Sequence, residues 1–431
     1  MCTFEIGKKE HQILVLWICI ILFLIKKINT LKCLPNIRRD FNNLKSLKLI
    51  PSNNNVEYFI FVDQKDTQTE DVLFTTYKEY LILPYAIKNI NYNYSDNIVL
   101  ILHVSNDQNL TKIENHLKNW DGFISLSIFI NITSNNFEEL TCTYCKLISI
   151  IKKSKKIDIH FIVKINSKSY SIKNLLLFKE PYICNNFNYS NDNVSCYNNY
   201  DKNIDYAKRI SQYPINILRN IARKYSHGKY IVIADMDHMF SKDFHKKMLL
   251  TAKRELRDNV TAVLVYRIFE VDYKDLKYGP KNKKELKKMM DNKKAFIFHH
   301  YFNGAHNISK LNEWFSIPDS KVPTIQHEEL FNRYNWEPQF VSLSNIPYHD
   351  ERFPYPICDN INLRWTLCME GYKFLIVNDV FMYHLGLKNK NESKNVNKAK
   401  RYSQAKYQKA LGKFRREMKQ KYLKNTNICR F

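Results

Sequence analysis

The chain has 431 residues, 45% of them hydrophobic and 14% aromatic, with 67 Lys+Arg against 42 Asp+Glu for a formal net charge of +25. That apolar content excludes a disordered chain, and 8 Gly with 12 Pro exclude collagen-like and low-complexity classes. The charge calls for an anionic partner (nucleic acid, a membrane surface, a phosphate-bearing or acidic substrate), and the length allows two or three domains or one large α/β unit.

Residues 13–25 (ILVLWICIILFLI) carry no polar side chain and are followed by Lys26-Lys27. A bilayer span takes about 17–25 apolar residues, so the run is short. It suits a signal-peptide core, a short signal-anchor helix or a buried element. No small-x-small cleavage site follows it, which favours an uncleaved N-terminal membrane anchor helix within residues 1–28. Lys26, Lys27, Lys32, Arg38 and Arg39 outnumber Lys8 and Lys9. The positive-inside rule alone would therefore leave the C-terminal side cytosolic. Residues 29–55 are polar and basic and read as a stem, and residues 56–431 as the folded domain.

Strand-length runs at 57–62, 98–104, 123–130 and 157–165 alternate with helical stretches such as 110–120. That alternation predicts an α/β fold: a doubly wound, mostly parallel sheet with helices on both faces. Residues 185–203 read as an Asn-rich surface loop. A helical stretch at 215–225 leads into an apolar strand at 230–234, and the alternation resumes to about 385. Residues 388–431 hold 15 Lys/Arg and two acids. There Tyr407, Ala410, Leu411, Phe414, Met418 and Tyr422 fall at helical spacing, which predicts an amphipathic helix docked on the domain with a solvated basic face. An anionic membrane or an acidic glycan is the sharper alternative for that face. No zinc-finger, RRM or basic-zipper pattern accompanies the charge, which argues against nucleic acid as the partner.

Of ten cysteines, Cys2 and Cys19 lie before or within the apolar run. Cys142/Cys145 and Cys184/Cys196 are spaced as local loop-closing pairs, which suits an oxidising compartment. Eight Asn-x-Ser/Thr sequons, at Asn93, Asn109, Asn131, Asn188, Asn193, Asn259, Asn307 and Asn391, point the same way. A zinc site built on Cys142 and Cys145 lacks a second ligand pair of similar spacing.

The strand at 230–234 delivers Asp235 and Asp237 to its C-terminal end, the edge where open α/β sheets bind ligands. Two carboxylates so spaced in extended chain can share Mn²⁺ or Mg²⁺ and thereby neutralise a diphosphate. The bland reading is a strand-end Asp capping the next turn. A haloacid-dehalogenase-type phosphohydrolase expects Thr or Val where this chain has Met239. A second cluster, Phe381-Met-Tyr-His384-Leu-Gly386-Leu-Lys388, offers a His as third ligand and a Lys for a phosphate oxygen.

These features occur in the company of others. Tyr213-Pro-Ile-Asn-Ile-Leu-Arg219-Asn220 precedes the Asp-x-Asp strand, and Leu117-Lys-Asn-Trp120-Asp-Gly122 lies upstream. Gly304-Ala-His306, Trp336-Glu337-Pro338, Tyr348-His-Asp350-Glu351-Arg352-Phe353 and Glu370-Gly371 follow. The set resembles glycosyltransferase family 49, which includes the glucuronyltransferase domain of LARGE and a beta-1,4-glucuronyltransferase. The likeness covers roughly residues 57–425 by the order of these motifs. It departs at His238 and at Pro354-Tyr-Pro356, where a Gly-rich stretch is expected.

The resemblance implies a GT-A-like fold and a type II Golgi membrane protein with a luminal catalytic domain, overriding the charge asymmetry. It implies an inverting, metal-dependent transfer of a sugar, with glucuronic acid as a candidate, from a UDP-sugar to a glycan or glycoprotein acceptor. Asp235, Asp237 and His384 would hold the metal. Lys388, with Gly386, would meet the diphosphate, and Arg219 and Asn220 would reach the nucleotide. Asp350 or Glu351 would be the general base, placed before an apparent helix. His306, Trp336 and Glu337 would line the sugar pocket, Trp336 serving equally as a core aromatic. The alternative is a catalytically inactive family member that binds glycans or acts as a chaperone. Self-association or a partner subunit stays open.

Overall fold

The computed structural model describes residues 57–60, 72–88, 95–132, 138–152, 154–164, 184, 196, 205–257, 260–300, 304–387, 390–422 and 429. The apolar run at 13–25, the stem and Lys388 lie outside the described residues, as does most of the Asn-rich stretch. Among the described residues no helix is long and apolar enough to cross a membrane.

The chain opens with a meander of β1 (Glu57–Ile60), β2 (Val72–Tyr77) and β3 (Tyr80–Ile87). An alternating block follows: β4 (Ile98–Ser105), α1 (Lys112–Asn119), β5 (Phe123–Ile130), α2 (Glu138–Ile151) and β6 (Ile157–Lys164). Then α3 (Tyr206–Ser211) and α4 (Ile215–Lys224) lead to β7 (Tyr230–Ile233) and the short β8 (His238–Phe240). Next come α5 (Phe244–Glu255), β9 (Ala262–Val271), α6 (Lys283–Asp291), β10 (Ala295–Ile297), α7 (Leu311–Ser316) and β11 (Ile325–Glu329). The chain ends with β12 (Gln339–Leu343), α8 (Ile361–Met369), β13 (Lys373–Leu385) and α9 (Lys390–Lys421).

The strands form one sheet in the order β1-β2-β3-β6-β5-β4-β7-β12-β9-β13-β11, with β10 beside β9 and β8 beside β13. The run β6-β5-β4-β7 is parallel, as the strand–helix alternation predicts, and so is the pair β9-β13. Antiparallel pairings fill the rest. β12 inserts antiparallel between β7 and β9, and β3 runs antiparallel beside β6. The sheet is therefore mixed, with a parallel centre and antiparallel flanks.

β4 is buried along its whole length, as an apolar strand covered on both faces must be. Its alternate side chains serve two cores: Leu100, Leu102 and Val104 on one face, Val99 and Ile101 on the other. On α4, Leu218, Ile221 and Ala222 are buried, and the Ser125 hydroxyl of β5 donates to the Ala222 carbonyl at 2.7 Å. The basic C-terminal stretch is helical, with Ala410, Leu411 and Phe414 buried. Phe414 packs against Phe353 and Trp365 at ring distances of 5.5 and 5.9 Å.

The cysteines pair differently from the local expectation: Cys142 with Cys196 and Cys145 with Cys184. Cys142 and Cys145 stand three apart on α2 and so present both sulfurs from one helix face to the same segment. A third bridge joins Cys368 to Cys429 across 61 residues, tying the chain end to α8. By loop-closure entropy such a bridge contributes about 4 kcal/mol.

Burial keeps several histidines neutral. It pushes His160 down to about 3 and half-buried His245 down to about 4. His160 Nδ1 accepts the Tyr85 N–H at 3.0 Å, and its Nε2 meets the Ser125 hydroxyl at 3.0 Å. Above about pH 6.5 neither folded nor unfolded chain protonates them. Below it the unfolded chain takes up protons that the folded one refuses, so stability falls with falling pH. From about pH 6.5 to 4.5, His160 alone should cost about 2–3 kcal/mol. Thermal melts at about pH 7.5 and 5 check this; equal midpoints would contradict it.

Candidate active site

β7 ends where Ala234 N–H still donates to Ile101 O at 3.1 Å, and the chain then turns. The Asp235 N–H donates to His238 Nδ1 at 3.2 Å, and the His238 N–H donates back to Asp235 O at 3.0 Å. The turn projects Asp235 and Asp237 beyond the parallel strands, with side chains 52% and 40% exposed. β8 then pairs with β13, His238 opposite His384, and the Leu385 N–H donates to Asp237 O at 3.1 Å. The two motifs, far apart in sequence, are thus joined by backbone hydrogen bonds.

His384 Nδ1 donates to Gly386 O at 2.8 Å, which leaves the ring's acceptor lone pair on Nε2. Gly386 takes φ +86, and its N–H reaches both Val271 O and Tyr273 O. Side chains other than glycine rarely adopt that conformation.

Asp235 meets His103 Nε2 of β4 at 3.2 Å and an Arg219 guanidinium nitrogen of α4 at 3.5 Å. Burial raises its carboxyl, but His103, His238 and Arg219 outweigh that and hold it well below the usual carboxylate range. His103 is itself anchored by Tyr213 OH at 2.9 Å, and burial pushes it down despite Asp235. Arg219 also donates to Asp359 at 2.9 Å and to Asn216 at 3.1 Å. Burial pushes the Asp359 carboxyl up while Arg219 draws it down. Asp237 faces Lys112 Nζ at 2.6 Å.

A cavity of about 1710 Å³ opens over these groups. Typical ligand pockets measure about 300–1,000 Å³, so it has room for two substrates. Arg219, Asp235, Asp237, His384 and Gly386 line it, together with His306 and Glu337. Phe298 packs between two of these, its ring 5.3 Å from His384 and 4.9 Å from His306.

Four expected site residues lie elsewhere. Asp350 is held by Arg352, whose Nε donates at 2.8 Å, and Arg352 continues to Glu417. Glu351 accepts from Tyr77 OH at 2.9 Å, from Asn220 at 2.8 Å and from Lys78. Neither lines the cavity, and turns rather than a helix follow them. Asp350 and Glu351, expected as the base, clamp their loop to the β2–β3 turn and to α9. Asn220 brackets the same loop, its amide donating to His349 O at 2.9 Å and accepting the His349 N–H at 3.0 Å. It faces away from the nucleotide expected for it. Trp336 is fully buried against Phe331 and Phe374, a core aromatic.

Among the described residues no three His, Cys, Asp or Glu side chains form a ready-made metal cage. The donor set nonetheless fits a hard divalent cation: two cavity-facing carboxylates and an imidazole whose Nε2 accepts. Lys112, Arg219 and His103 now balance those carboxylates. Lys112, His103 and Asp359 were not among the expected residues. Each acts through a partner more than a hundred positions away, and no local pattern marks such pairs.

Comparison with known proteins came out consistently. The sequence profile of the family described as "Glycosyl-transferase for dystroglycan" matches residues 97–423. The chain is similar to beta-1,4-glucuronyltransferase 1 of Danio rerio, 26% identical over 194 residues that span 44% of each chain. It is similar to the glycosyltransferase-like protein LARGE of Caenorhabditis elegans, 29% identical over 225 residues, 50% of this chain and 32% of that protein. A longer match, 22% identical over 347 residues and 78% of each chain, is to beta-1,4-glucuronyltransferase 1 of Mus musculus.

Proposed function

The chain belongs to the family of glycosyl-transferases for dystroglycan, and from that membership we propose that it moves a sugar from a UDP-sugar to a glycan acceptor, inverting the sugar carbon in one displacement. One observation carries the reading. Backbone bonds join the Asp235–Asp237 turn to the His384 strand at the mouth of a cavity large enough for donor and acceptor together. The relatives' names favour glucuronic acid as the sugar.

Asp235, Asp237 and His384 would hold Mn²⁺ or Mg²⁺, which when bound neutralises charge on the departing diphosphate. Arg219 and His103 fix the Asp235 carboxylate in place. Lys388, with Gly386, would meet the diphosphate. The three disulfides and the sequons support a luminal compartment, and residues 13–25 would supply a type II Golgi anchor.

The test is acceptor-dependent UDP release by the purified chain across a panel of UDP-sugars, with and without EDTA. Turnover of one donor that EDTA abolishes is expected. No turnover with any donor, together with no Mn²⁺–UDP binding in a titration, would reject the reading.

Lys112 has a definite place in this scheme. Its ammonium contacts the carboxylate that the cation needs, so the two compete for Asp237. An exposed pair of this kind is worth about 0.2–1 kcal/mol. A Lys112→Met variant should therefore bind Mn²⁺ up to about fivefold more tightly without nucleotide. Calorimetric titration reads this, and weaker binding would show that Lys112 supports the site instead.

A further inference from the structure

We propose that Glu337 is the general base, taking the proton of the acceptor hydroxyl; this rests on the transferase reading above. Among the described residues six carboxylates line the cavity: Asp107, Glu114, Asp235, Asp237, Asp359 and Glu337. Asp107 is paired with Arg209 at 3.5 Å, and Glu114 with Lys118 at 3.6 Å. Asp235 and Asp237 belong to the metal turn, and Asp359 is buried on Arg219 at 2.9 Å. Glu337 has no ion-pair partner within 4 Å among the described residues: its Oε1 accepts from the Asn360 side-chain amide, and it feels Arg219 and Arg364 only through longer-range attraction. A carboxylate bound to a cation is a poor proton acceptor.

Glu337 is also mounted as a base should be. Trp336 before it is locked in the core. Its own N–H donates to Ala305 O at 2.7 Å, and its carbonyl meets His306 Nδ1 at 3.0 Å. Buried Arg364 donates to Pro338 O at 3.1 Å and to Asn360 Oδ1. Because Arg364 takes that oxygen, the Asn360 NH₂ is turned towards Glu337, which fixes Oε1 and leaves Oε2 for substrate. Phe298 packs against both His306, which the Glu337 carbonyl holds, and His384, so Glu337 and the metal turn line one cavity.

In the step proposed, the acceptor oxygen bonds to the anomeric carbon as that carbon's bond to the diphosphate oxygen breaks. The bonding pair leaves with UDP, and the hydroxyl proton passes to Glu337 Oε2.

The test compares Glu337→Gln and Glu337→Asp with wild type, using the best donor from the UDP-sugar panel. Glu337→Gln should lower kcat by about a hundredfold or more, with acceptor KM and Mn²⁺–UDP affinity within about twofold. Glu337→Asp, which keeps the carboxylate, should recover part of kcat. Turnover that survives Glu337→Gln, or a parallel loss of Mn²⁺–UDP binding, overturns the assignment alone. A wild type that binds Mn²⁺–UDP but turns over no UDP-sugar overturns the transferase reading, and the base with it.

Discussion

An Asp237→Ala variant will keep its fold and lose acceptor-dependent UDP release by about a thousandfold or more. The side chain is 40% exposed, and Lys112 is its ion-pair partner. Its removal should change stability by no more than about 0.5 kcal/mol. The loss would be in the chemistry, because the remaining carboxylate and His384 would hold too weakly the cation that neutralises a leaving diphosphate. Asp235→Ala should differ in kind. It removes one partner of His103 and one of the two carboxylates on Arg219, so it should lower the melting temperature as well as the rate. Parallel melts and UDP-release assays separate the two cases. An Asp237→Ala variant with wild-type turnover would remove the metal turn from the mechanism.

What could be read ahead of the structure was local. An apolar run ending in two acids is legible at 230–237 because strand and turn occupy adjacent residues, and the same holds for β4, β5, β6 and α4. The β2–β3 hairpin, 72–87, was not distinguished, since its pairing depends on a neighbour, β6, that arrives some seventy residues later. Strand direction was equally hidden: alternation signals the parallel centre, but nothing in β12 says that it will insert antiparallel between β7 and β9. The surroundings of Asp350 and Glu351 were hidden for a related reason. Adjacent acids at Asp350 and Glu351 look reactive until Arg352 folds back on one and Tyr77 and Lys78 reach the other. Glu337 was legible only as part of a Trp-Glu-Pro word lining the sugar pocket. Its hold by the neutral Asn360 amide, with Arg364 on that amide's oxygen, emerges once both are in place. The net charge misled most. Its densest stretch forms α9, much of whose basic face is exposed, whereas the chemistry sits on carboxylates.

Arg219→Met should be the most destabilising single change at the site, by about 3–5 kcal/mol. Arg219 is 3% exposed and bridges Asp235 and Asp359, so its loss leaves the nearly buried Asp359 without its cation beside a second carboxylate that shared it. Burial already pushes Asp359 up with Arg219 beside it; without the cation it should rise further. A carboxyl raised above its unfolded value contributes stability at low pH and loses it as pH rises through the folded value. The deficit of Arg219→Met relative to wild type should therefore be smaller at about pH 5 than at about pH 7.5. His160 and His245 weaken both proteins alike and cancel in that difference, whereas His103 and His349, which Arg219 also pushes down, change it in the same direction as Asp359. Arg219→Lys should recover part of the loss, since an ammonium restores the charge but cannot span both carboxylates as a planar fork does. Melts of all three proteins at both pH values decide the matter. A deficit independent of pH would mean that Arg219 acts through packing, and that the acids beneath the metal turn do not need its charge.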